Sequence, residues 1–382
     1  MEDSHYVGRE QSEVKHLILQ EYLLPFALII GRGHGSITYV DCFSGPWESA
    51  STTHEDTSFS IAIGQLKKAR ARLKRDGIQL DLRAFFIEKD RNAFGRLQQY
   101  AQKIRGVEIN VRNAELEESI DDICCFVREA NRTFPFVFID PTGWKGFELD
   151  VIRPILTLRP CEVLINFMTH YIVRFANNEE SKESFERLFG SDDFYNRLQG
   201  TQGSDRVDEA VFEYRDAVSK VGNFDYAGIA GILNPIRDRS HFHLLYFSRH
   251  PRGLEKFKEA ERRSMGEMEQ LRARAQKSGR EQRSQQREFL YADEAPDSTY
   301  YLSLRERYLG FAKADVIRLL QAADRVTYDD AWNAWLRYPM VWEKDLKDWV
   351  RESSKIALDG LGKRERVPKL GRNHFLRFAG IA

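Results

Sequence analysis

Short apolar segments alternate with amphipathic helical segments over about the first 170 residues, and this alternation limits the fold more than any other feature. The apolar segments are ITYVD (37–41), LRAFFIEKD (82–90), VEINVRN (107–113), FPFVFIDP (134–141) and CEVLINFM (161–168). Successive strands that are joined by helices run parallel, because each helix returns the chain to the edge where the strand began. The pattern predicts an α/β fold with a doubly wound, mostly parallel, Rossmann-like sheet that has helices on both faces.

The remaining segments predict additions to this sheet. A helix is expected over 11–30, helical insertions over about 171–225, and an antiparallel closing strand within 241–257. Residues 255–288 carry 10 basic and 7 acidic side chains with almost no apolar stripe, which indicates a solvated helix or a flexible linker. From about residue 298, two short helices precede a hairpin-like stretch, a winged-helix-like pattern. We therefore expect an α/β domain (1–257), a charged helical linker (258–297) and a winged-helix-like domain (298–382).

Composition restricts the function classes. Lys plus Arg and Asp plus Glu number 58 each, so a nucleic-acid surface must be a local patch. The four cysteines show no CxxC pair and no metal-like spacing with His, which fits reduced thiols better than a disulfide framework or a metal site. The N-terminal segment lacks a signal-peptide pattern, and Gln20, Glu21 and Pro25 interrupt its longest apolar run. We expect a cytoplasmic protein that has no membrane partner and binds no metal.

Polar side chains follow the predicted strands at the point where each strand ends. Ligands of doubly wound sheets bind at the carboxyl ends of the strands. One crevice is therefore expected to hold Asp41, Glu88, Asn113, Asp140 and Asn166. A buried Asp41 needs hydrogen-bond donors or a cation, and Gly45 in the following turn lets backbone approach a ligand; alternatively, Asp41 only caps that turn. Glu88 stands where an acidic residue binds ribose hydroxyls, or else it pairs with Lys89 or a nearby Arg.

The end of the fourth strand, FVFIDPTGWKGF, is the predicted reaction face. Asp140 is placed to accept hydrogen bonds from a target amine, and the rigid turn from Pro141 to Gly143 directs its carbonyls. Trp144 is placed to stack on a planar base. The alternative is a structural turn with a Trp that belongs to the core.

Three further patterns were weighed. The glycine-rich GRGHG (31–35) precedes the first strand with no helix after it, so it does not predict a nucleotide loop. His241 and His243 share one strand face, but no third ligand is evident, which favours paired histidines over a metal site. Residues 355–377 carry seven basic and two acidic side chains, a basic wing suited to phosphate backbones or simply a solvated hairpin. The predicted nucleic-acid contacts are Lys363, Arg364, Arg366, Lys369 and Arg372.

The order of several motifs resembles the three-Cys-motif partner protein family (TcmP). The motifs are KHLILQEYL, YVDCFSGPW, FFIEKD, FVFIDPTGW, CEVLINF and FHLLYFSRHPRGL, of which D-x-F-x-G (41–45), D-P-x-G (140–143) and S-R-H-P-x-G-L (248–254) are the most specific. That family is similar to class I S-adenosylmethionine-dependent methyltransferases and often carries a C-terminal winged-helix-like region. The chain departs from it at Trp47, where a second Gly is usual, and at Asn113, where an Asp is common.

The resemblance implies residue roles and a partner. The cofactor S-adenosylmethionine would contact the turn formed by Asp41, Phe43, Gly45 and Pro46, with Glu88 on the ribose and Asn113 at the adenine edge. The reaction face would be Asp140, Pro141 and Gly143, with Trp144 beside it. A protein bearing a three-cysteine motif and resembling radical enzymes is the implied partner.

The leading hypothesis is an S-adenosylmethionine-dependent methyltransferase that acts on nucleic acid. The D-P-x-G loop beside Trp144 and the basic wing favour this acceptor, while a protein or a small molecule stays open as the alternative acceptor. Direct methyl transfer needs mainly positioning of the acceptor. The rival is a catalytically silent methyltransferase-fold module that binds nucleic acid through the wing and docks a protein partner. A nuclease that holds magnesium on strand-tip carboxylates is a third possibility, weakened because no nearby Lys completes a cleavage set in the sequence.

Overall fold

A seven-stranded sheet organises the chain in the computed structural model, which describes residues 10–45, 57–191, 193–284 and 298–379. The strand order is β3-β2-β1-β4-β5-β7-β6. Strands β1 to β5 pair in parallel, whereas β7 is antiparallel to both β5 and β6. The strands are β1 Ser36–Asp41, β2 Asp81–Ile87, β3 Glu108–Arg112, β4 Thr133–Ile139, β5 Glu162–Phe167, β6 Tyr226–Leu233 and β7 Ser240–Ser248. The predicted mostly parallel, Rossmann-like sheet with an antiparallel closing strand is confirmed.

Helices cover both faces of this sheet and bury two hydrophobic cores. One core lies under α1, α2 and α10, and the other lies under α4, α5 and the helical insertions. The helices up to the sheet's end are α1 Glu10–Ile30, α2 Ser58–Arg75, α3 Arg91–Lys103, α4 Leu116–Glu129, α5 Leu149–Leu156, α6 Thr169–Phe175, α7 Lys182–Phe189, α8 Phe194–Gln199, α9 Gly203–Gly222 and α10 Pro251–Ser284, with a 3-10 turn at Glu179–Ser181. In the described part of the chain, none of the helices combines the length and the apolar character that crossing a membrane requires.

The strand β6, YAGIAGIL, was not predicted from the sequence. Its glycines weaken the strand signal, since glycine lowers strand propensity. The structure shows why Gly228 suits this place: a Cβ there would lie 2.6 Å from Leu254 Cδ1 on α10. The glycine therefore lets α10 pack directly on the strand backbone.

Helix α10 corrects the prediction for residues 255–288. It begins at Pro251, before the predicted domain boundary, and its first half packs against the sheet and α1. The apolar residues that the charges concealed are buried: Leu254, Phe257, Ala260, Met265, Met268 and Leu271. A solvated helix or flexible linker is therefore wrong for this half, because helical spacing gathers sparse apolar residues into one buried stripe.

The C-terminal region forms a second, small sheet with three helices. Its elements are α11 Thr299–Ala322, β8 Val326–Thr327, α12 Tyr328–Leu336, α13 Glu343–Glu352, β9 Ile356–Asp359 and β10 Phe375–Phe378. The antiparallel sheet has the order β8-β10-β9, and residues 360–374 connect its last two strands. The region packs on the β6 edge of the large sheet, where Asn333 Nδ2 donates to the carbonyl oxygen of Asp225 at 2.9 Å.

Candidate functional site

The strand order reverses between β1 and β4, and ligands of open α/β sheets bind at such a switch point. Asp41 ends β1, and Asp140 directly follows β4. Side chains alternate along a strand, so residues two positions apart share a face. The residues two positions earlier, Tyr39 and Phe138, lie in the core beneath α1. The same alternation places four polar residues of four strands on the α1 face at the carboxyl edge: Asp41, Glu88, Asp140 and Asn166.

Asp41 is fully buried and receives its hydrogen bonds from the protein itself. Its carboxylate accepts from Ser58 Oγ at 2.8 Å, from the Phe43 backbone N at 3.2 Å and from Tyr39 Oη at 3.2 Å. The pKa of Asp41 is raised to about 6. Burial is the main cause; the hydrogen bond from Ser58 opposes it, and the negative charge of Asp140 adds to it. The alternative that Asp41 caps its own turn therefore describes part of its role.

The turn after β1 lies directly against Glu88. A Cβ on Gly45 would lie 1.7 Å from Glu88 Oε2, so a larger residue at this position would force the Glu88 side chain to move. Glu88 Oε1 accepts from the Asp90 backbone N at 2.7 Å, and burial raises the pKa of Glu88. Lys89 pairs with Glu115 at 3.4 Å, and Glu88 has no ion pair within the described ranges, so the ion-pair alternative for Glu88 is not what the structure shows. Pro46 and Trp47 lie outside the described residues.

Asn113 is hydrogen-bonded to the backbone of the turn between β2 and α3. Its Nδ2 donates to the carbonyl oxygens of Glu88 at 2.8 Å and Lys89 at 3.0 Å. This bonding fixes the amide orientation and leaves Oδ1 as the amide's acceptor atom. Contact with an adenine edge stays a prediction.

Asp140 stands between a cation and an amide. Lys15 Nζ of α1 lies 2.5 Å from Asp140 Oδ2, and Asn166 Nδ2 donates to Asp140 Oδ1 at 2.6 Å. Because the amide nitrogen must face the carboxylate, Asn166 Oδ1 points away from it. That oxygen is buried and has no hydrogen-bond partner in the part of the chain that the structure describes. A buried acceptor without a donor is costly, which indicates a place for a ligand N–H or O–H.

Lys15 was missed in the sequence because it lies 125 residues from Asp140 and carries no motif of its own. Its presence removes the reason given against a nuclease, which was the lack of a nearby Lys. However, the described residues contain no group of three or more His, Cys, Asp or Glu that could hold a metal ion. The nuclease hypothesis therefore gains no support.

The loop after β4 brings the other predicted reaction residues together. Pro141 is buried, and a Cβ on Gly143 would meet nothing within 4 Å. Trp144 Nε1 donates to Ser184 Oγ at 3.1 Å, and its ring centroid lies 4.5 Å from that of Phe175. These contacts with the helical insertions resemble the structural alternative, while base stacking by Trp144 stays a prediction.

The two histidines of β7 lie on the opposite face of the sheet from Asp140. His243 is buried with Nδ1 3.3 Å from Thr169 Oγ1, and the ring centroids of His241 and His170 lie 4.8 Å apart. Burial lowers the pKa of His241 to about 4 and that of His243 to about 3, so both are neutral at physiological pH. They form a packed histidine cluster.

Cavities also lie away from the carboxyl edge. A groove of about 580 Å³ separates the β6 edge from the C-terminal region. Its Asp216 is already paired with Arg215 at 2.8 Å and with Arg337. We give more weight to the carboxyl edge because its polar groups converge and one of them lacks a partner, whereas size alone does not identify a site.

The predicted nucleic-acid contacts all lie exposed on the connection at residues 360–374: Lys363, Arg364, Arg366, Lys369 and Arg372. Lys369 pairs with Glu365 at 3.3 Å; the other four form no ion pair with any described residue. Glu365 accepts from the Gly362 backbone N and from His374 Nε2, each at 3.1 Å, and these hydrogen bonds, the Gly362 one foremost, lower its pKa to about 2. The basic side chains therefore project from an ordered connection.

Comparison with known proteins adds little. No family model matches the chain, and a search of curated proteins finds no match. Three solved structures with low similarity are protein LPL1258 of Legionella pneumophila (DUF519), a candidate methyltransferase of Thermobifida fusca, and loganic acid methyltransferase with SAH. Their identities are 13%, 10% and 10%, and their TM-scores 0.36, 0.33 and 0.28. The matches cover 63%, 60% and 65% of this chain and 85%, 80% and 97% of theirs. Likeness at this level carries no functional argument.

Proposed function

We propose that the protein is an S-adenosylmethionine-dependent methyltransferase that acts on nucleic acid. The observation that carries the proposal is the convergence of Asp41, Glu88, Asp140 and Asn166 on one face at the switch point of the sheet. In this fold the switch point is where nucleoside-containing ligands bind.

The charge of the edge favours a ligand that bears positive charge. Three carboxylates, Asp41, Glu88 and Asp140, share the edge with Lys15. A pKa of about 6 leaves Asp41 mainly ionised above neutral pH. S-adenosylmethionine carries a sulfonium and an ammonium group, whereas a nucleotide polyphosphate would be repelled by the carboxylates unless a metal were present.

The residues present fit the parts of this cofactor. The Glu88 carboxylate would take the ribose hydroxyls, Asn113 Oδ1 would accept from the adenine amino group, and the turn of Asp41, Phe43 and Gly45 would hold the amino-acid tail. When bound, the cofactor supplies a methyl group activated by the sulfonium. Pro46, which the sequence also assigned to the cofactor, lies outside the described residues.

The acceptor side centres on Asp140. A target amine would donate one N–H to Asp140 and another to Asn166 Oδ1, a buried acceptor that no described residue satisfies. To reach Asp140 the amine must compete with Lys15, whose ammonium already neutralises the carboxylate. The backbone from Pro141 to Gly143 and the Trp144 ring would flank the acceptor.

The C-terminal region is the reason for proposing nucleic acid as the methyl acceptor. Support comes from its order of helix, strand, two helices and hairpin, with sheet order β8-β10-β9. We infer from this order a winged-helix-like region in which residues 360–374 would be the basic wing. Exposed cations on such a wing suit phosphate backbones.

Methyl transfer from radiolabelled S-adenosylmethionine to separate DNA and RNA pools tests the proposal. We expect label in one pool, and at least a tenfold loss for Asp140→Asn, which removes the charge that holds the amine. Asp150→Asn, an exposed Asp, is the matched control. Equal activity of wild type and Asp140→Asn would contradict the assigned role, and label in neither pool would contradict a nucleic-acid acceptor.

A second candidate rests on the internal pairing of the carboxylates. Asp41 is satisfied by protein donors and Asp140 by Lys15, as expected of a methyltransferase-fold module without catalysis. Such a module would bind nucleic acid through the wing and dock a protein partner, with a three-cysteine-motif protein as the candidate. Failure to bind S-adenosylmethionine in the presence of nucleic acid would favour this module.

A further inference from the structure

Helices α2 and α3 carry the most uneven charge on the chain. Helix α2 has six Lys or Arg residues and no Asp or Glu, and α3 has three and none, so nine cations face no acidic residue on either helix. They are Lys67, Lys68, Arg70, Arg72, Lys74, Arg75, Arg91, Arg96 and Lys103. In a chain of zero net charge this is a concentrated positive surface, which we name the α2–α3 face.

The two helices lie side by side and form one surface. The ring centroids of Phe59 on α2 and Tyr100 on α3 lie 4.9 Å apart, and Arg70 donates to the Gly106 carbonyl oxygen just beyond α3. Lys68, Arg72 and Arg75 are exposed at i, i+4 and i+7 spacing, a stripe on one side of α2. Within the described ranges none of the nine cations forms an ion pair with a carboxylate.

We propose that the α2–α3 face binds the phosphate backbone of nucleic acid. Helix α2 is 18 residues long, about 27 Å, and duplex DNA presents about 16 negative charges over that length. Both helices begin at the candidate site: Ser58 Oγ donates to Asp41, and the Asp90 backbone N donates to Glu88. All six α2 cations lie at residues 67–75, in the half of the helix that is remote from Ser58, and Arg70 donates to the Gly106 carbonyl oxygen before β3. A strand held on this face would therefore lie mainly toward the opposite edge of the sheet.

The composition of the face distinguishes nucleic acid from other polyanions. Protein interfaces need apolar or aromatic anchors, yet the exposed side chains between the cations are small or polar, including Ala71, Gln98 and Gln99. Insertion into a lipid surface needs an exposed apolar helix side, whereas the apolar residues of α2 are buried against the sheet. Cations with polar neighbours and no anchors suit phosphate and sugar contacts.

This surface is separate from the wing. Helix α2 packs near β1 and β2, while the C-terminal region packs on β6. Five strand positions separate β2 from β6, about 24 Å at the usual spacing. The inference goes beyond the proposed function and does not depend on it.

Fluorescence anisotropy of labelled duplex DNA and duplex RNA with the full chain tests the inference. The test variant is Lys68→Gln/Arg72→Gln/Arg75→Gln. The control Arg153→Gln/Arg318→Gln/Arg351→Gln removes the same charge from residues already paired with Asp150, Asp315 and Asp348. We expect the test variant to bind about tenfold more weakly at low salt, with its salt slope reduced by about 3, because each lost phosphate contact removes about one unit. The control should change affinity less than about twofold.

Four outcomes would overturn the inference. The test variant could bind with wild-type affinity, or the control could lose as much affinity as the test variant. The wild type could bind neither duplex at about 50 mM salt, or it could bind polyglutamate or anionic vesicles but no nucleic acid. Thermal unfolding checks that both variants fold. Titration with S-adenosylmethionine separates the two proposals. Duplex binding through this face without cofactor binding would leave the inference standing while the proposed function fails.

Discussion

At the scale of single residues, the site is built from groups whose ionisation is set by burial. Asp41 was predicted to need donors, and the structure supplies them from Tyr39, Phe43 and Ser58. The sequence indicated Asp41 because it ends an apolar strand before a turn. It gave no sign of Ser58, which lies 17 residues further on and reaches the carboxylate only through the fold.

The raised pKa of Asp41 predicts a pH-dependent stability difference. A folded pKa of about 6, above the unfolded value, means that the native state binds the proton more tightly, so this group's stabilisation is present at low pH and is lost as the pH rises through about 6. Asp41→Asn lacks this dependence. Relative to wild type, its free energy of unfolding should therefore rise by about 2 kcal/mol between about pH 4.5 and about pH 7.5. Denaturant unfolding at both pH values measures it; a difference that stays constant contradicts the buried, raised-pKa Asp41.

At the scale of elements, α10 joins the two sheets through a buried ion pair. Lys258 pairs with Glu261, and both are nearly inaccessible. Lys258 Nζ donates to the Tyr338 carbonyl oxygen at 2.7 Å, and Glu261 accepts from the Met340 backbone N at 2.8 Å. Both partners thus also satisfy the backbone of the turn between α12 and α13, so the pair holds the C-terminal region against the large sheet.

Removing one partner of the Lys258–Glu261 pair should lower the free energy of unfolding more than replacing both partners with apolar residues. Lys258→Met or Glu261→Met alone should lower the free energy of unfolding by about 3 kcal/mol or more, because each leaves a buried charge without its partner. The double variant should cost less than the sum of the two. A double-mutant cycle by denaturant unfolding measures the coupling, and additive losses would show that the two charges do not depend on each other.

Elements in which the apolar residues follow a clear strand or helix spacing were predictable from the sequence. Elements in which glycines or charges interrupt that spacing were not. Strands β1, β2 and β4 read as apolar runs because they are buried on both faces. The glycines of β6 and the charges of α10 concealed these two elements in the sequence. Both are buried by neighbouring elements, and a local sequence pattern does not record such burial. Strand β6 packs against α10, and α10 in turn packs against the sheet and α1.

At the scale of the whole molecule, the topology brings together residues that lie far apart in the sequence. The sheet brings Asp41, Glu88, Asp140 and Asn166 to one edge, as their strand-end positions predicted, whereas Lys15 reaches that edge from α1 and was not foreseen. The basic α2–α3 face was likewise concealed, because a net charge of zero hides a local excess. The molecule thus presents two separate basic surfaces, the connection at residues 360–374 and the α2–α3 face.

The central claim is that the carboxyl edge binds S-adenosylmethionine. Isothermal titration calorimetry of the full chain tests it most directly, with Glu88→Gln as the variant and Glu108→Gln, an exposed Glu at the opposite edge of the sheet, as the control. We predict micromolar binding by wild type and control, and at least a tenfold weaker affinity for Glu88→Gln, because an amide replaces the carboxylate that would accept both ribose hydroxyls. No binding by folded wild-type protein, or binding unchanged in Glu88→Gln, would contradict this assignment of the site.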